Sequence, residues 1–183
     1  INHMGYVLLG AYTLNIQGAT GAVFQMFNHA CAIGSLFLLS GVIDHWAGSR
    51  LIDKLRGMGQ TMPRVGFALV MGSLAAMGVP GFANFISEFM VVWGAIWYNN
   101  SLTPYLSVAI LVPGITAAYF MWMMRRTLYG AGEPRTAMRD APRDVILTLI
   151  LFIVPLVILG VYPTPMLQSV EGTVRSLPVW SRG

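Results

Sequence analysis

Glu88 is the residue of this 183-residue chain best placed to do chemistry. Six of its seven acidic residues fall in polar stretches or the tail, and Glu88 alone sits inside a long apolar one, from Gly66 to Tyr98. A charge at the centre of a bilayer costs about 2.5 kcal/mol or more unless it is paired or neutralised. A carboxyl kept there is a candidate for taking up and releasing protons, and the competing reading is a packing carboxyl bonded to a neighbouring hydroxyl. Just before it runs Met77-Gly78-Val79-Pro80-Gly81-Phe82. Pro80 removes a backbone donor and clashes with the preceding turn, and Gly78 and Gly81 add backbone freedom. The spacing predicts a helix broken at Gly78, Pro80 and Gly81, with Glu88 about two turns further on, near 10 Å along the axis. Such breaks free backbone groups to line polar cavities. The plainer alternative is a tolerated proline kink.

Two histidines extend this chemistry. His29 lies near the middle of an apolar stretch, with Asn28 beside it, Gln25 one turn back and Ser35 further along. An imidazole with an ordinary pKa near 6.5 suits a proton relay, although a lone buried histidine more often serves as a hydrogen-bonded structural residue. His3 is a similar, weaker candidate, because its depth so near Ile1 is not set by the sequence. His45 follows Asp44 at a basic loop and reads as a solvated residue. Cys31 is the only cysteine, which allows no internal disulfide and no cysteine metal cluster. No Gly-rich phosphate loop, CxxC pair or histidine-ligand spacing is present. No cofactor and no metal is therefore expected in this chain.

The elements that must position these residues are helices in lipid. Apolar residues make up 56% of the chain and charged residues 10%, against roughly 25% charged in soluble domains. Stretches at about 18–43, 66–98, 102–124 and 145–162 are long enough to span a bilayer, preceded by the end of another helix at about Met4 to Leu14. Ile1 is followed by no signal-peptide pattern, and the start reads like the inside of an apolar helix, so a piece of a longer protein is expected. The fold class expected is all-α, a polytopic transmembrane bundle with one discontinuous helix, over residues 1–162. An amphipathic tail, 163–183, should follow along the membrane surface, with Met166, Val170, Val174 and Leu177 on one helical face and Thr164-Pro165 suited to its start. The stretch from Asp44 to Pro63 reads as a loop with one helical turn.

The cations alternate with the spans. Arg50, Lys54, Arg56 and Arg64 fall in one loop, and Arg125, Arg126, Arg135, Arg139 and Arg143 in another. The intervening connections at Asn15–Gln17 and Asn99–Pro104 carry no charge, and only Arg175 and Arg182 remain, in the tail. The positive-inside rule puts the nine loop cations on the cytoplasmic side. This asymmetry accounts for the net charge of +4 without nucleic acid. Trp93, Trp97, Tyr98 and Tyr162 are natural interface anchors, and Gly18, Gly21 and Gly34 let helices approach closely.

These residues resemble one family. Asn2-His3-Met4-Gly5-Tyr6-Val7-Leu8-Leu9-Gly10, Gln25-Met26-Phe27-Asn28-His29-Ala30 and, most specifically, Gly78-Val79-Pro80-Gly81-Phe82-Ala83-Asn84-Phe85-Ile86-Ser87-Glu88-Phe89 are similar, in order, to elements of the antiporter-like subunits of respiratory complex I (NADH-quinone oxidoreductase). Glutamate rather than lysine at position 88 resembles the M type, in its last third. The chain departs from the family at Ala30-Cys31-Ala32, and Ile33 stands where L-type subunits carry lysine. The resemblance implies proton translocation coupled to electron transfer to a quinone, with Glu88, His29 and His3 on the proton path. It implies other membrane subunits of a complex I-like assembly as partners, lipid around the chain and a quinone site in other subunits. The family fold has fourteen membrane helices, and its other broken helix is not in this sequence, so the chain should not pump alone. The rival reading is a subunit of a stand-alone cation/proton antiporter.

Overall fold

A computed structural model describes the backbone of residues 1–98, 103–130 and 140–177, and the side chains of these except 98 and 103–110. The positions of Arg135, Arg139, Arg182 and the uncharged connection 99–102 lie outside the described residues. The described residues form eight α-helices: α1 Asn2–Tyr12, α2 Ile16–Ala47, α3 Met58–Thr61, α4 Pro63–Ala76, α5 Ala83–Tyr98, α6 Thr103–Leu128, α7 Arg143–Val161 and α8 Thr164–Arg175, with a single 3-10 turn at Ile52–Lys54. By length and composition α2 and α7 are apolar enough to cross a membrane, while α4 and α5 are shorter apolar helices separated by the break.

Helix α2 packs against α1, α4, α5, α7 and α8. Asn15 caps its start, accepting from the Gly18 amide at 2.8 Å and donating to the Gly94 carbonyl of α5 at 2.6 Å. Gly48, left-handed at φ 67°, ends it. Lipid tails are as apolar as leucine, so helices here associate through close packing rather than through escape from water. The contacts follow that rule. A Cβ at Gly94 would stand 2.6 Å from the Gly18 nitrogen, and one at Gly10 2.5 Å from the Gly18 carbonyl oxygen. Glycine on facing turns thus brings α1, α2 and α5 to backbone contact.

Among the described residues, two apolar clusters fill the remaining space. One, at the loop-cation end, gathers Leu39, Met58, Met62, Val65, Leu149 and Ile153 among others, and includes the helical turn of the 44–63 loop. The second surrounds the break, with Phe24, Ala32, Ala75, Ala76, Phe82, Ala83 and Leu156. Helices α4 and α7 run parallel. At one end Asp140 accepts from the Arg64 and Val65 amides at 3.0 and 3.3 Å, capping α4 from across the chain. At the other, Gly160 rests on the break. Helix α8 turns its Val170 and Val174 inward and packs Met166 and Leu167 against the second cluster, whereas Leu177 is exposed.

Candidate functional site: a histidine pair, a carboxyl and a helix break

The break is built from two standard turns in succession. Helix α4 ends in a Schellman motif: the Val79 amide donates to the Leu74 carbonyl at 3.3 Å and the Gly78 amide to the Ala75 carbonyl at 3.1 Å, with Gly78 left-handed at φ 66°. A tight turn follows, Val79-Pro80-Gly81-Phe82. Proline stands at its second position, Gly81 at its third with φ 101°, and the Phe82 amide closes it on the Val79 carbonyl at 3.1 Å. Helix α5 then starts at Ala83.

The end of α4 leaves the Ala76 carbonyl without an amide partner from the helix. His3 supplies one: its Nε2 lies 3.0 Å from that oxygen. A carbonyl only accepts, so Nε2 carries the proton. In the neutral ring Nδ1 is then an acceptor, and it faces Nδ1 of His29 at 3.0 Å, which must donate. The rings meet edge to face with centroids 5.1 Å apart. Glu88 completes the line, with Oε1 3.9 Å from His3 Nε2. Its other oxygen lies against Gly78, where a Cβ would be 2.7 Å away. Tyr6 of α1 is buried. The line therefore runs from half-buried His29 through buried His3 to Glu88, which is 8% exposed, against the wall of the break.

Of the six predicted residues, His29, His3, Glu88 and Gly78 meet one another in turn, and Pro80 and Gly81 form the exposed turn that follows. His3 holds the centre of the arrangement, a place its position near Ile1 gave no means of assigning. Asn28 donates to Ser87 Oγ at 3.0 Å, and Ser87 in turn donates to Gln25 Oε1. Ser35 instead bonds the Ala32 carbonyl of its own helix at 2.7 Å and takes no part. His45 is exposed and meets Trp46 edge to face. Cys31 is half-buried and free.

Sequence reasoning missed three groups. Asn84 and Ser87 share the face of Glu88 at helical spacing, a signal that was available. Asn84 is fully buried and neither of its amide atoms meets a protein partner, nor do Asn28 Oδ1, Ser73 Oγ and Thr20 Oγ1. Buried polar atoms of this kind are those that ordered water satisfies. The third group is Gly160, whose contact with the break no local pattern announces. Among the described residues no three His, Cys, Asp or Glu side chains gather as metal ligands.

Comparison with known proteins shows what this chain is similar to. The family described as NADH:quinone oxidoreductase/Mrp antiporter, transmembrane, matches residues 1–114. The F(420)H(2) dehydrogenase subunit M of Methanosarcina mazei is 32% identical over 92% of this chain and 34% of its own length. The NADH-ubiquinone oxidoreductase chain 4 of Marchantia polymorpha is 32% identical over 97% of this chain and 36% of its own. The chain thus spans about a third of the length of these curated relatives. Among solved structures, a chain of respiratory complex I from Thermus thermophilus superposes with a TM-score of 0.81 at 26% identity, over 93% of this chain and 35% of that one. A chain of the Mrp complex from Dietzia sp. superposes with 0.85 at 18% identity, over 96% and 40%.

Proposed function

This chain belongs to the NADH:quinone oxidoreductase/Mrp antiporter transmembrane family, and from that premise we propose that it carries part of a proton path in a complex I-like assembly. It is an integral membrane protein, and its solved relatives are chains of multi-subunit membrane complexes. Proton transfer is driven, in this reading, by electron transfer from a reduced cofactor to a quinone held by other subunits. The M type is the reading favoured by Glu88 and by the names of the relatives at 32% identity. The alternative, a stand-alone cation/proton antiporter, has the Mrp likeness on its side, but at 18% identity that likeness speaks to fold alone.

The observation that carries the proposal is the His29–His3–Glu88 line. A proton taken up at Nε2 of His29 makes that ring an imidazolium. It releases its Nδ1 proton across 3.0 Å to His3 Nδ1. His3, now doubly protonated, gives its Nε2 proton to the Glu88 carboxylate. That last gap is 3.9 Å, and the carboxyl must close by about 1 Å to reach hydrogen-bond distance. Afterwards both rings hold their single proton on the opposite nitrogen, so a tautomer reset must precede the next passage. The Ala76 carbonyl supports that reset, because it holds Nε2 only when Nε2 carries hydrogen.

Glu88→Gln keeps the size of the side chain but cannot ionise. In the complete assembly, reconstituted in sealed vesicles, it should assemble normally and lower proton pumping by about 100-fold or more, the usual weight of a proton-transfer group. Glu88→Asp should retain part of the activity. Pumping by the Gln variant at the wild-type rate would make Glu88 a packing residue.

A further inference from the structure

We propose that Gly160 of α7 is a positioning residue for Glu88, acting through the broken helix. The inference rests on the proton-path reading above and adds to it an element that touches none of the three relay side chains in the contacts described. Gly160 brings α7 into contact with the backbone of the break. A Cβ there would collide with the Gly81 carbonyl oxygen and would lie 2.6 Å from both the Gly81 carbonyl carbon and the Phe82 Cα. All three atoms are backbone, so no rotation of a flexible side chain could relieve the clash. Any residue larger than glycine must push the Val79-Pro80-Gly81-Phe82 turn away from α7.

That displacement has a short route to the carboxyl. The turn is one closed unit, held by the Phe82 amide on the Val79 carbonyl at 3.1 Å. Its first residue is fastened to α4 by the Val79–Leu74 bond at 3.3 Å, and the residue before it, Gly78, abuts Oε2 of Glu88. At its far end the turn leads into α5, which carries Glu88 itself. Pushing on Gly81 and Phe82 therefore moves both walls that fix the carboxyl. One helical turn earlier on α7, Leu156 is fully buried in the cluster with Phe82 and Ala83 and completes the seat. A shift of about 1 Å at a reacting group costs on the order of 100-fold in rate, and the proton gap at Glu88 is already 3.9 Å.

The test uses the complete assembly with Gly160→Ala, with Leu156→Ala, which loosens the same seat by removing bulk, and with Gly41→Ala as a control. Gly41 sits on α2, where a Cβ would meet nothing within 4 Å. Two quantities are read: the rate at which a hydrophobic carbodiimide modifies Glu88, followed by mass spectrometry, and proton pumping per electron pair. Gly160→Ala and Leu156→Ala should each change the Glu88 labelling rate severalfold and lower pumping about tenfold or more, while Gly41→Ala leaves both unchanged. Should Gly160→Ala fail to assemble, Leu156→Ala carries the test. Altered labelling with wild-type pumping would sustain the positioning role and overturn the relay reading of Glu88. Labelling unchanged in the assembled variants would overturn the positioning role.

Discussion

Replacing Gly78 by alanine separates two things that glycine does at the break. The residue has φ 66°, a conformation that costs an L-residue about 1–2 kcal/mol. Its new Cβ would also stand 2.7 Å from Glu88 Oε2. The carboxyl must retreat by about 0.7 Å or more before that contact becomes an ordinary van der Waals one. The shift bears on transfer, because Oε1 lies 3.9 Å from His3 Nε2 and has to approach to about 2.8 Å. Gly81→Ala is the matched comparison. It too carries a positive φ, 101°, but its Cβ would meet nothing within 4 Å. Both variants should lose roughly 1–2 kcal/mol of stability from backbone strain, seen as a lowered unfolding temperature of the purified assembly. Only Gly78→Ala should add a specific loss of proton pumping, about 10- to 100-fold, measured in sealed vesicles and normalised to assembled protein. Equal losses in the two variants would show that backbone strain alone matters. Wild-type pumping by Gly78→Ala would refute the idea that the close approach of Gly78 sets the carboxyl.

Four further outcomes are expected. His29→Ala should lower pumping partially and leave assembly intact, because His3 keeps its bond to Ala76. His3→Ala should cost both pumping and about 1–3 kcal/mol of stability, since it leaves a buried carbonyl unpaired; equal stability of the two variants by thermal unfolding would contradict that bond. Asp140→Ala removes the cap on α4 and should lower stability by about 1 kcal/mol with pumping per assembled complex unchanged, and a pumping defect at full stability would count against a purely capping role. In a Cys31→Ser background, cysteines at Ser49 and at Gln17 should react with impermeant reagents from opposite sides, Ser49 from the cytoplasm; labelling of both from one side would overturn the orientation.

Much of the break was legible in the sequence because its causes are local. Gly78, Pro80 and Gly81 each dictate their own backbone angles, so the interruption of the helix follows from residue types alone. The start of α8 at Thr164-Pro165 has the same character, whereas α2 continues to Ala47, past the end at about residue 43 that hydropathy set. The meeting of His3, His29 and Glu88 was not legible as geometry. Three residues on three helices come together through the packing of Gly10, Gly18, Gly21 and Gly94, and the sequence shows small residues without showing which pair with which. The assignment of His3 to Ala76 depends on a carbonyl, and carbonyls leave no trace in composition. Asp140 read as one more loop charge because its partners, two backbone amides of α4, lie more than seventy residues away. Gly160 was silent for the same reason: a glycine near the end of an apolar helix is unremarkable until its neighbour is seen to be bare backbone.

The division of one apolar stretch into α4 and α5 also bears on how the chain enters the bilayer during synthesis. Fourteen and sixteen residues give helices of about 21 and 24 Å, each short of the roughly 30 Å hydrocarbon core. Neither half can be released into lipid as a span of its own. With Glu88 uncompensated and the carbonyl of Ala76 unpaired, the stretch has no favourable resting state until α1 and α2 are there to receive it. The helix that offers His3 and the helix that offers Gly18, Gly21 and Asn28 are made first, at the N-terminal side, so the order of the chain matches the order in which partners are needed. Insertion of this segment is then a templated event, and variants that weaken the α2 groove should betray themselves as failures of biogenesis before they appear as failures of transport.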